Sequence, residues 1–377
     1  MKKIGITTIF TGNNNYGGVL QAYALQQSIR NMLPEGYDVE HINFEYNENP
    51  IYHSLLSRCK QYSLSQIINK FKEKSIERRT YLISDKLEKR LSLFDDFRNK
   101  YIRQSKKYEI NEHPQIGKDY DILITGSDQV WNPNVIRDVF TFDFPTRAKK
   151  IAYAASISRN KLSNKEKEYL IPLISTFKHV GVREITAQKI LAKEDINSKV
   201  VLDPTMLLAM NDWGKVSSQQ IIKEPYVFVY SFSDCPLKSE IERYYKEKNI
   251  KVVYIPYVKM VYNKFDDSYP FEKIWNAGPS EFLSLIKNAE HVFTDSFHGT
   301  VFSILFNTPF TVYDRNSNAG KVNMNSRLVD LLKTFGLTER MSKGGLVEGN
   351  IDFASVNNKL ELLRDDSRKW LYNSITD

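Results

Sequence analysis

The stretch from Glu290 to Pro309, EHVFTDSFHGTVFSILFNTP, leaves the chain few ways to fold. His291 to Thr294 reads as a short buried strand, Asp295 to Gly299 as a tight polar turn, and Thr300 to Phe306 as an apolar helix. A strand that passes through a small polar loop straight into a helix is half of a βαβ unit. It aims unpaired backbone N–H groups and the positive end of the helix dipole at one point, which favours an anion. Gly299 lets the backbone approach closely. His298, just before it, can meet the same ligand as a cation or as a proton donor near neutral pH. For DSFHG in isolation the alternative is a helix cap made by Asp295 or Ser296 beside a satisfied loop histidine.

The same rhythm runs through the whole chain. Lys3 to Phe10 reads as a strand, Thr11 to Gly18 (TGNNNYGG) as a loop, and Val19 to Met32 as a helix with Leu20, Ala24, Leu25 and Ile29 on one face. Gly12, Gly17 and Gly18 do not fit the G-x-G-x-x-G dinucleotide fingerprint. The amides and phenol of Asn13 to Tyr16 suit a polyhydroxylated ligand, and a simple turn is the alternative. Val39 to Phe44 is the second strand. Asp121 to Thr125 is another, followed at once by GSDQVWNP, where Asp128, Gln129 and Trp131 could bind and stack on a sugar; Trp131 equally suits packing. Ile151 to Ala155 and His179 to Val182 continue the series. Arg183 then stands at a strand end, placed to clamp a carboxylate or phosphate or to pair with Glu184.

Val200 to Leu202 closes the first half with Asp203, Pro204 and Thr205, and the irregular stretch from Ala209 to Pro225 marks a boundary. The expected division is 1–208 and 209–377. In the second half, strands are expected at Tyr226 to Ser231, Lys251 to Tyr257 and Phe310 to Tyr313, with a final helix over Phe353 to Asn373. The irregular segment from Val258 to Asn276 reads as a rim or loop of the site. The fold class is therefore α/β, with two Rossmann-like domains facing across a cleft.

Charge adds one local feature. The net charge of +8 equals the excess between Lys60 and Lys107, which holds 14 Lys or Arg and 6 Asp or Glu. Ile67, Ile68 and Phe71, then Leu82, Leu87, Leu91, Phe94 and Phe97, recur there at helical spacing, so the segment reads as a basic helical insertion in the first domain. It is either a solvated face or a surface for an anionic membrane or an acidic glycan carrier. No zinc-finger, RNP-like or recognition-helix pattern is present, so no nucleic acid is expected. No apolar run approaches the roughly 20 residues of a membrane span. Cys59 and Cys235 match no metal or redox spacing, which suits a reducing cytoplasm, with association at the inner face of a membrane left open.

NYGGVLQAYAL, DILITGSDQVWNP, VGVREITAQKIL, LDPT and AEHVFTDSFHGTVFSILFNTPF, in that order over about residues 5 to 335, resemble the polysaccharide pyruvyl transferase family. The resemblance implies a GT-B-like architecture and transfer of a pyruvyl group from phosphoenolpyruvate to two hydroxyls of a sugar, giving a cyclic ketal and free phosphate. The acceptor would be a sugar or oligosaccharide of a cell-surface glycan precursor, free or lipid-linked. No metal and no cofactor is required, phosphoenolpyruvate being a substrate. By the resemblance, His298 matches the family histidine at the donor site and Arg183 an arginine that holds the donor.

Where some members carry Arg then Leu before that histidine, this chain has Ser296 and Phe297. Arg327, or else Arg315 or Lys321, is the expected replacement cation. Ser296, Phe297, Gly299 and Thr300 complete the donor side, and Asn15, Tyr16, Gly17, Gln129 and Trp131 form the acceptor side. Asp128, then Asp295, are the carboxylates suited to deprotonating an attacking hydroxyl. A GT-B glycosyltransferase using a nucleotide sugar and a glycan-binding relative without chemistry are the competing readings.

Overall fold

The computed structural model describes residues 1–10, 12–45, 75–315, 326–347 and 349–377. Thr11, Cys59, Ile67, Ile68, Phe71, Lys321 and most of the loop before Arg327 lie outside the described residues. Among the described residues, twelve parallel strands form two sheets. The first contains β1 (Lys2–Thr7), β2 (Tyr37–Phe44), β3 (Gln104–Tyr108), β4 (Ile122–Thr125), β5 (Lys149–Ala155), β6 (His179–Val182) and β7 (Lys199–Val200) in the order 3-2-1-4-5-6-7. The second contains β8 (Tyr226–Tyr230), β9 (Lys251–Tyr254), β10 (Glu272–Lys273), β11 (His291–Thr294) and β12 (Phe310–Val312) in the order 10-9-8-11-12.

Runs such as Ile122–Thr125 and Tyr226–Tyr230 are buried at every position, as a sheet covered on both faces requires. Each sheet reverses its winding once, at β1/β4 and at β8/β11, and the loops leaving those strand ends open into a shared crevice. The edge strands β3 and β10 were not expected from the sequence. One is a half-exposed QSKKY with a single buried residue, and the other spans only two residues.

The helices that shape the cleft are α1 (Tyr16–Met32), α2 (Ser84–Tyr101), α3 (Ile185–Ala192), α4 (Pro279–Lys287), α5 (Phe297–Leu305), α6 (Ser326–Phe335) and α7 (Phe353–Thr376). Two departures from the expected organisation follow from their packing. The helical insertion is not an appendage of the first lobe, because α2 lies across both. Arg90 is fully buried and donates to the carbonyls of Pro256 (2.7 Å), Trp275 (2.8 Å) and Ile274 (3.3 Å) in the second lobe. Phe94 packs on Tyr16, and Leu93 abuts Gly278. Part of the positive charge is paired within the chain: Arg98 bonds Asn13 and Asn14, Arg103 pairs with Asp38, and Lys107 with Glu45.

The second departure is α7, which belongs to the first lobe rather than to 209–377. Trp370 lies against Gly181 and Tyr153, Ser367 accepts from Leu202 N, and Lys149 Nζ donates to Ile375 O at 2.7 Å. One hydrophobic cluster runs continuously through both lobes, joined by Tyr16, Phe282, Trp213 and Phe302. Among the described residues no helix is long and apolar enough to cross a membrane.

Candidate active site

Four strand ends supply the polar groups of the cleft. β4 leads to Ser127 and Asp128, β6 to Arg183 and Glu184, β7 to Asp203, and β11 to the start of α5. Ser296, rather than Asp295, caps α5, its hydroxyl accepting from Gly299 N at 3.3 Å. Phe297, His298 and Gly299 therefore form the first helical turn, where a loop was expected, and His298 is carried on a rigid element. Gly299 permits the close approach of Thr294 and Tyr230, since a Cβ there would stand 2.6 Å from Thr294 Oγ1.

Asp203 is the hub. Its side chain is fully buried; Oδ2 accepts from Arg183 Nη1 (2.8 Å) and Ser127 Oγ (3.1 Å) and lies 3.6 Å from His298 Nε2. Oδ1 is held by the N–H and hydroxyl of Thr205 at 3.0 and 2.7 Å. Burial alone would raise the Asp203 pKa, yet His298 and Arg183 hold it well below the usual carboxylate range. Arg183 shows the converse balance: burial pulls it down, and Asp203, Asp128 and Glu184 raise it. Its Nη2 lies 3.4 Å from Asp128 Oδ1, and its guanidinium covers the Phe297 ring at 4.3 Å. Asp128 adopts φ 67, the left-handed region that Asp tolerates better than most residues.

Arg327, from α6, reaches the same place. Nη1 lies 3.8 Å from Asp128 Oδ1, and the guanidinium is 6.0 Å from the Phe297 ring centre. Burial and the neighbouring Arg183 depress its pKa to about 10. Arg183 Nε, Arg327 Nε, His298 Nε2 and Glu184 Oε2 are all buried without a hydrogen-bond partner among the described residues. Unmade bonds at buried polar atoms cost roughly 1–3 kcal/mol each, and such atoms concentrate where ligands bind.

The structure thus brings His298, Arg183, Asp128, Phe297 and Arg327 together with Gly17. A Cβ on Gly17 would stand 2.0 Å from His298 Nδ1, so the start of α1 lies directly against the imidazole.

Other expected residues are corrected by their surroundings. Tyr16 is fully buried, stacked on Phe282 at 4.7 Å, and its hydroxyl donates to Ala277 O (2.6 Å); it joins the lobes and has no surface to offer an acceptor. Trp131 is likewise fully buried against Phe177, with Nε1 donating to Phe140 O, so packing is its role. The Asp295 carboxylate is saturated by Phe232 N, Ser233 Oγ and Arg315 Nε (2.8, 2.7 and 3.3 Å), which makes it a loop anchor rather than a base. Arg315 is thus paired with Asp295, and its charge still reaches Arg327, whose pKa it helps to lower. Thr300 is fully buried, its hydroxyl bonded to Ser296 O. Asn15 caps α1 through Gly18 N, and Gln129 accepts from Asn132.

Asp203 was missed as a site residue. In the sequence an Asp before Pro at a strand end reads as a turn, and only its place after the last strand of the half pointed toward the cleft.

The model of the polysaccharide pyruvyl transferase family matches residues 15–317, from the cap of α1 to just beyond β12. The chain belongs to this family. Every residue of the cluster except Arg327 falls within the span that polysaccharide pyruvyl transferases share, so Arg327 is contributed by α6 beyond the matched region. No curated protein matches the chain in sequence. Among solved structures, UDP-GlcNAc 2-epimerase from Methanocaldococcus jannaschii is similar at 10% identity and a TM-score of 0.51, covering 98% of this chain and 94% of its own. UDP-N-acetylglucosamine 2-epimerase from Rickettsia bellii is similar at 9% identity and a TM-score of 0.50, covering 99% and 96%. At that identity the likeness is one of fold, and it places this pyruvyl transferase family member among two-lobed, GT-B-like proteins.

Proposed function

We propose that the cleft moves a pyruvyl group from phosphoenolpyruvate to two hydroxyls of a sugar, forming a cyclic ketal and releasing phosphate. One observation supports this most: Arg183, Asp203, Asp128, Arg327 and His298 converge from both lobes, with Arg183 Nε, Arg327 Nε and His298 Nε2 buried and without a hydrogen-bond partner among the described residues. A small polyanionic donor needs such groups, together with the free N–H groups at the start of α5. Arg327 would replace the arginine that other members carry before the histidine.

In this scheme His298 delivers a proton to the methylene carbon, which becomes a methyl group. The ionised Asp203 supplies the counter-charge for the imidazolium that this step needs. Positive character at the adjacent carbon draws the first sugar hydroxyl, whose proton passes to Asp128, and a C–O bond forms. The bond to the phosphate oxygen then breaks, and the second hydroxyl closes the ring. Of the two hydroxyl protons, one restores the proton spent on the methyl group and the other leaves with phosphate.

The test is phosphate release from phosphoenolpyruvate that depends on added sugar, with the ketal identified by mass. Arg327→Ala removes charge-assisted hydrogen bonds worth roughly 1.5–3 kcal/mol, so KM for phosphoenolpyruvate should rise about tenfold or more. Unchanged donor kinetics would remove Arg327 from the scheme. Consumption of a nucleotide sugar without phosphoenolpyruvate turnover would overturn the scheme as a whole.

A further inference from the structure

A second pocket lies on the second lobe, where Ser231 and Phe232 leave β8 and where Tyr257, Val258 and Lys259 follow β9. It holds about 570 Å³ including its open mouth, within the range of small-molecule sites. β9 is two strands from β11 in the sheet, so at about 4.8 Å per strand the strand ends that lead to the pocket and to the helical turn carrying His298 stand roughly 10 Å apart. That spacing is the reach of a neighbouring unit in an oligosaccharide whose reacting sugar lies in the cleft.

Its charge and its walls narrow the ligand. Lys259 is exposed and has no ion pair among the described residues. Its pKa is lowered by partial burial and then by Arg315, so two cations share this edge. Asp295 offsets only part of that charge, being bonded to Arg315 and to the backbone and hydroxyl of the β8 loop. Tyr262 is locked in place: its hydroxyl donates to Asp267 (2.6 Å) and accepts from Arg79 (2.5 Å), while its N–H donates to Thr80 Oγ1 (3.0 Å). Arg79 covers one face of its ring at 5.0 Å and Tyr257 stacks nearby at 5.8 Å, so the Tyr262 ring is already engaged by the protein. Ile76, from the helical residues 75–82, completes the wall. Apolar edges, a buried Asp266 and an ammonium with no ion pair among the described residues suit a sugar ring that carries an acid.

We propose that this pocket is an acceptor subsite for a negatively charged sugar unit, a uronate or a sugar phosphate, with Lys259 pairing its anion. The subsite rests on reading the cleft as the place of pyruvyl transfer. It gives the helical insertion a part in acceptor selection.

The test is calorimetric binding to the full chain in saturating phosphoenolpyruvate, with three probes: a glucuronate-terminated disaccharide, glucose 1-phosphate, and the neutral disaccharide cellobiose. Wild type should bind at least one acidic probe more tightly than cellobiose. Lys259→Gln should weaken that acidic probe about tenfold and leave cellobiose unchanged, with the ligand-free melting temperature unaltered as the control for folding. Which acidic probe responds distinguishes a carboxylate ligand from a phosphate. The subsite is overturned if wild type binds no acidic probe in preference to cellobiose, or if Lys259→Gln affects neither or all probes alike. A failure of phosphoenolpyruvate to raise the melting temperature of wild type would instead strike at the donor assignment.

Discussion

Replacing Gly17 by Ala sets two known effects against each other inside the cleft. Gly17 is in α1 and is not in the left-handed region, so on backbone grounds Ala should stabilise by up to about 1 kcal/mol. The added methyl, however, would stand 2.0 Å from His298 Nδ1, 2.4 Å from Cγ and 2.7 Å from Cε1, where contacts below 3.0 Å essentially never occur. The obstacle is a ring seated in a buried helical turn rather than the loose end of a side chain. Overpacking of that kind costs about 1–3 kcal/mol, so the net expectation is a loss of roughly 1–2 kcal/mol. The imidazole must also retreat by about 1 Å, a displacement that can lower turnover on the order of 100-fold. Steady-state phosphate release should show kcat falling far more than KM for phosphoenolpyruvate rises, and thermal unfolding should show a lowered midpoint. Gly214→Ala, whose methyl would meet nothing within 4 Å, is the matched control for the backbone effect. A Gly17→Ala protein with a raised midpoint and parental kcat would refute the placement of the imidazole against α1.

Two further outcomes follow from buried charges. Arg90→Ala strands three carbonyls of the second lobe and should cost on the order of 3–5 kcal/mol, read as a lowered denaturant midpoint with faster amide exchange around residues 256–277; unchanged exchange there would show that α2 does not clasp the lobes. Asp266 is buried, and burial raises its pKa to about 7, above its unfolded value. Its contribution is complete below about pH 4 and is lost as pH rises through 7, so Asp266→Asn should flatten the decline in stability between those limits and raise the melting temperature at pH 8. An unaltered pH profile in the variant would rule out a raised Asp266 pKa.

The sequence made the strand-end loops readable because their chemistry is local. A short apolar run, a polar turn and an apolar helix specify β11 and α5, and Arg183 and His298 stand at such ends whatever surrounds them. What it concealed depends on distant partners. Tyr16 and Trp131 look the same beside a sugar as beside another ring, and only the arrival of Phe282 or Phe177 decides between them. A charge count treats Arg90 like any lysine on a wet face, although it is swallowed between lobes. Nothing within α7 indicates that it crosses back to β5. Asp203 was hidden for the opposite reason: its bonds to Thr205 are those of an ordinary turn, and its bond to Arg183 is made across 20 positions of chain.

The return of the last helix to the opening sheet has a practical consequence. A fragment cut after residue 208 would lack the partner of Tyr153 and Gly181, baring a stripe of its core, while the remainder would carry that partner with nothing to cover it. Exchange of acceptor specificity between relatives by swapping halves therefore calls for two junctions, one near residue 209 and one before Phe353, so that the graft is an internal segment and both ends of the recipient stay together.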